Sequence, residues 1–160
     1  FDAMEEFIEE VIQKSRSLLE KINVYRIRIQ SNISQNKLTE AIATGKQVLQ
    51  ELDIALPEEV TNEDIQHNLI EISQLIGNRK IKDLVDLPQM VDEKQLAIME
   101  IASNLFSVTY LSGSPLYPLL VCLCVKISIQ YGNTSASSQT YVAYGLISCI
   151  ILKNIIQVIQ

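Results

Sequence analysis

The last sixty residues carry almost no charge. Between positions 101 and 160 the only charged side chains are Lys126 and Lys153, with no Asp or Glu. All nineteen acids and the other eleven bases lie in residues 1–100, which leaves −8 there, +2 beyond and −6 overall. A helix that is apolar on every side expects neighbours on every side. The final third is therefore expected either to form the centre of the domain or to have its outer face covered by a further repeat or a second copy of the chain. The covered face is favoured, because the capping repeat of a free solenoid needs a polar outer surface. The most apolar stretches, 116–125 and 141–152, are closed by Lys126 and Lys153. Both fall short of the roughly 20 residues that cross a bilayer, so no membrane span is expected.

The rest of the composition narrows the fold class. A chain of 160 residues, 48% hydrophobic and 20% charged, is one domain with a sizeable core. Five Gly, four Pro and no Trp suit an all-α protein over a turn-rich β sandwich. The acidic balance argues against general nucleic-acid binding, which needs a cationic footprint. Cys122, Cys124 and Cys149 sit in apolar runs and read as free buried thiols of a reducing, cytoplasmic compartment. A zinc site built on Cys122 and Cys124 would need two more ligands, and the one histidine, His67, is remote in sequence, so no metal or other cofactor is expected. The acidic start Phe1-Asp2-Ala3-Met4-Glu5-Glu6 is unlike a signal peptide. The chain opens without an initiator and ends inside an apolar-periodic pattern, as expected of a piece of a longer polypeptide.

Apolar spacing predicts about six helices. Met4, Phe7, Ile8, Val11, Ile12, Leu18, Leu19 and Ile22 follow a three-four period that continues to Ile33. This fits one long helix to about Ser34, with a break near Asn23 as the alternative. After the turn Gln35-Asn36-Lys37, a second helix is expected to pack antiparallel to it, with Ala41 and Gly45 admitting a close neighbour. Thr61 with Asp64 resembles a capping box for a third helix that stops at Gly77. A short turn then precedes Pro88. Asp92 opens a fourth helix that runs on through Phe106, Pro115 a fifth that ends near Gly132, and Asn133-Thr134-Ser135 a sixth. Whether residues 150–160 continue the sixth is left open. Starts about 21 residues apart give a helix pair of about 42, within the range of helical solenoids. The expected sub-units are about 1–56, 57–91 and 92–160, arranged as a right-handed array of antiparallel hairpins.

Catalytic signatures were sought along the whole chain. Gly45-Lys46 lacks the upstream glycine of a phosphate loop, and neither His-Arg-Asp nor Asp-Phe-Gly occurs. Glu5, Glu6, Glu9 and Glu10 alternate with apolar pairs and read as the solvated side of an amphipathic helix. His67 on a helix face is the one candidate nucleophile, for a histidine phosphotransfer-type four-helix domain. Glu63 and Glu71, one turn away on either side, would repel a phosphoryl group.

The segments Val24-Tyr25-Arg26-Ile27-Arg28-Ile29-Gln30, Gln35–Ile42 and Val48–Pro57 resemble the tetratricopeptide-like helical region of large bacterial multidomain signalling kinases. Glu63-Asp64-Ile65-Gln66, Asp83–Met90, Tyr131-Gly132-Asn133 and Tyr144-Gly145-Leu146-Ile147 extend the likeness to most of the chain. In that family a serine/threonine kinase domain and an AAA-type, STAND-like ATPase precede the helical repeats, and a GAF sensor and a histidine kinase often follow. The matching residues are packing and turn patterns, so any kinase or ATPase activity would lie elsewhere in a parent chain. The resemblance implies a non-catalytic scaffold that contacts other domains of the same polypeptide or a protein partner. It also implies that the polar stripe Tyr25, Arg28, Asn32 and Gln35 lines a partner-binding face. Leu146, Ile150, Ile151 and Ile155 are expected to meet a next repeat or a second copy, so a homo-oligomer through the C-terminal helix is also in view.

Overall fold

The computed structural model describes residues 2–14 and 17–159, with Ile155 described by its backbone alone. The fold is all-α. Its helical segments are α1 (Asp2–Lys14), α2 (Leu18–Ser34), α3 (Leu38–Glu51), α4 (Asn62–Ile76), α5 (Ile81–Leu84), α6 (Glu93–Asn104), α7 (Phe106–Leu111), α8 (Leu116–Tyr131) and α9 (Ser137–Ile159).

The first helix is not continuous to Ser34, and the break does not fall at Asn23. Ser17 caps α2, its Oγ accepting from the Glu20 N–H at 3.2 Å, so the chain restarts there. α1 folds back along α2. The short turn into α3 works as expected. Asn36 takes φ 59°, which Asn tolerates, and the Lys37 N–H donates to the Asn32 carbonyl at 2.8 Å. Gly45 is buried against Leu105, in the space a Cβ would need, so the small residue does admit a close neighbour.

Downstream starts also follow their signals. Thr61 and Asp64 form a reciprocal capping box (3.2 and 2.8 Å), and Gly77 ends α4. Asp92 caps α6 through the Gln95 N–H. Around Leu105 the expected fourth helix divides into α6 and α7. Thr134 accepts from the Ala136 N–H at the foot of α9, and the Ser137 Oγ accepts from the Thr134 N–H. α9 then passes Lys153 and continues to Ile159, which settles the open question at residue 150.

One continuous core runs from Ile22 of α2 to Ile147 of α9. α8 is its axis, with ten of sixteen residues buried and contacts to α4, α6, α7 and α9. α6 joins that axis to the α2–α3 hairpin, while α4 packs on α8, far from it in sequence. Asn133 fastens the end of α8 to the segment before α6. Its N–H donates to the Pro88 carbonyl and its carbonyl accepts from the Met90 N–H, both at 2.8 Å. Its side chain donates to the Leu84 carbonyl (2.7 Å) and accepts from the Tyr141 hydroxyl (2.6 Å). Gly132, at φ 104°, lies so close to the Pro88 carbonyl that a side chain would collide with it.

Candidate functional site

The stripe expected to face a partner is largely covered, and Arg28 is the member that pairs with α1. Tyr25 and Asn32 are buried. Arg28 is half-buried and pairs with Glu5 (2.9 Å) and Glu9 of α1. Gln35 donates to the Ser31 hydroxyl at 3.0 Å. Burial first, and then the nearby Glu51 carboxylate, pushes the Tyr25 phenol above its ordinary value. Two corrections follow from the early break. The stripe is not an open face, and Glu5 and Glu9 are tied to Arg28 in addition to being solvated. Ser17 carried the signal, because a Ser followed three residues later by Glu20 marks a helix start.

A cleft of about 550 Å³ opens between α4 and α8. Leu75 and Leu123 contribute its apolar lining, and Gln74, Gln95 and Gln130 bring carboxamides to it from three helices. Lys126 projects from α8 and donates to Asn68 Oδ1 (2.7 Å) and Glu71 Oε2 (2.9 Å) of α4. The pair is half-buried, which favours it over a fully exposed one. The Lys126 hydrogen bond holds the Glu71 carboxyl below the usual carboxylate range. His67 continues the chain of contacts, its Nε2 lying 2.8 Å from Glu71 Oε1 at an exposed position. Sequence spacing could not show this arrangement, since Lys126 lies 55 residues beyond Glu71.

The same contacts bear on phosphoryl chemistry. A lysine does stand near His67, but the Glu71 carboxylate lies between them and against the imidazole nitrogen. A phosphoryl group on Nε2 would meet that negative charge directly. Two of the thiols are also withdrawn. Burial pushes Cys122 up to about 11 and Cys124 further, which suppresses their thiolates. Cys149 departs from expectation, because it is exposed on α9.

α9 keeps more exposed aliphatic side chains than any other described helix. On its outer face Val142 is 66% exposed, Leu146 63%, Ile150 60% and Ile156 57%, with Leu152 exposed as well, while exposed Val158 and Ile159 lie on the side of Ile151 and line a cleft with Ile65 of α4. Of the residues expected at an interface, Leu146 and Ile150 lie open, Ile151 is half-buried against the core, and the Ile155 side chain is outside the described residues. By length and composition α9, with 23 residues and a mean hydropathy of 1.9 over its most apolar eighteen, meets the requirement for crossing a membrane, contrary to the reading that Lys153 closes it too soon. The inner face of its first half is committed to protein through Thr140, Tyr141, Ala143 and Ile147, whereas the described side chains of 152–159 are all exposed. Comparison with protein-family models, curated proteins and solved structures finds no match for the chain.

Proposed function

We propose that this chain is a non-catalytic helical scaffold, a protein-interaction module that joins domains of a signal-transduction kinase and docks through the outer face of α9. The observation that carries the reading is the row of exposed aliphatic side chains on a helix whose opposite face is anchored in the core. Monomeric surfaces rarely keep so long an apolar row, and such rows mark contact sites. The kinase setting rests on the resemblance over Val24–Cys149. The Lys126–Glu71 pair and the surrounding carboxamides suit holding a polar segment of a partner, since both charges already satisfy each other.

Two measurements test the reading. Replacing Leu146 and Ile150 together by Ser should leave the denaturation midpoint nearly unchanged at dilutions where α9 has no partner, because exposed positions away from special features shift stability by about 0.5 kcal/mol or less. A large loss would mean that this face belongs to the core and not to an interface. Incubation with acetyl phosphate should leave the protein unlabelled. Labelling that vanishes in His67→Ala would replace the scaffold with a phosphotransfer domain.

A further inference from the structure

We infer that the occupant of the α9 face is a second copy of this chain, packed antiparallel about a two-fold axis at Cys149. This rests on the reading of that face as a docking surface and names the partner.

The register comes from residue spacing. Val142, Cys149 and Ile156 recur every seven residues, and Gly145 and Leu152 fall between them, as on the seam of a helix pair. In an antiparallel pair centred on Cys149, Val142 meets Ile156 of the other copy, Leu146 meets Leu152, and Gly145 meets Lys153. The last match is the most specific. Gly145 has open space where a side chain would project, and Lys153 is the one charged residue of α9. A lysine stem can cross the notch over a glycine and carry its ammonium to solvent at the rim.

Charge selects the orientation. A parallel pair would set Lys153 beside Lys153 on a helix that supplies no acid to offset the repulsion. The antiparallel arrangement separates the two ammonium groups by the width of the seam on either side of the axis. Area reaches the lower bound of a specific interface. Val142, Leu146, Ile150, Leu152 and Ile156, each leaving on the order of 100 Å² uncovered, offer roughly 500 Å² per copy and about 1,000 Å² in all. A single patch that serves both copies is the usual form of a two-fold dimer. A bilayer fits the face less well, because the first half of α9 is fixed to α8 and the stretch exposed on every described side, 152–159, is far shorter than the roughly 20 residues a span requires.

The experiment uses the whole chain. Sedimentation equilibrium over a dilution series should show a monomer–dimer equilibrium. Leu146→Lys should weaken it by roughly a thousand-fold, since symmetry counts the substitution twice. Diamide, which takes two electrons and two protons from a pair of thiols, should join Cys149 to Cys149 of the second copy, while buried Cys122 and Cys124 stay free. Mixing Gly145→Cys with Lys153→Cys, both in a Cys149→Ser background, should give a mixed cross-linked dimer. Cross-linking only between two Gly145→Cys copies would overturn the antiparallel register. A monomer at every concentration would overturn the second copy as occupant, and the Leu146 and Ile150 stability test would still decide whether the face docks anything. Sedimentation of the chain with phosphatidylcholine vesicles, with Cys149 shielded from a water-soluble maleimide only in their presence, would assign the face to lipid and overturn the proposal.

Discussion

α8 and α9 are built from nearly the same residues and meet opposite fates. Each is dominated by aliphatic side chains, each carries a single lysine, and neither contains an acid. α8 is enclosed by four helices and its lysine finds Glu71 and Asn68, whereas α9 leans on α8 and presents the other side to solvent. Composition thus measures how much cover a helix requires. Topology decides whether the chain itself provides it.

Substitution should separate the two helices most sharply in stability. Leu120→Ala, at a fully buried site of α8, should lose roughly 2–5 kcal/mol in urea unfolding through transfer and cavity effects. Val142→Ala on α9 should stay near wild type when both are measured as dilute monomers, and a comparable loss there would abolish the contrast. Asn133→Ala comes next, at about 1–3 kcal/mol, because the Tyr141 hydroxyl and Leu84 carbonyl lose their partner. Amide exchange at the start of α9 should accelerate in the same variant. Thr61→Ala should remove about 1 kcal/mol by uncapping α4, the helix that packs on α8.

The smallest expected effect depends on pH. The folded-state pKa of Glu71 is depressed by Lys126, so its contribution to stability is present above the ordinary glutamate range and is lost as pH falls through the folded value. The urea midpoint should therefore decline more steeply below about pH 4.5 in the wild type than in Glu71→Gln. Equal slopes would show that the Lys126 contact contributes nothing to holding α4 on α8.

The starts of α4, α6 and α9, the antiparallel hairpin at Asn36 and the close contact at Gly45 were legible because each depends on a few neighbouring residues. Three features were not. The α1–α2 break was missed because the apolar pattern resumes at Leu18, although the polar run Gln13-Lys14-Ser15-Arg16-Ser17 interrupts it and Ser17 with Glu20 marks a start. The Lys126–Glu71 pair depends on α4 packing against α8, a non-local choice that no local pattern records. The exposure of Cys149 follows from which side of α9 meets α8, whereas its apolar neighbours are the same on both sides. The need for cover over the last third was visible in its missing charges, and α8 meets that need within the chain.

The joint at Asn133 has a mechanical consequence. α9 is rooted by the Tyr141 hydroxyl on a side chain that also grips the Leu84 carbonyl, while the adjoining backbone is latched to Pro88 and Met90. The root of α9 cannot shift without breaking or carrying with it the segment before α6, some fifty residues upstream in the chain.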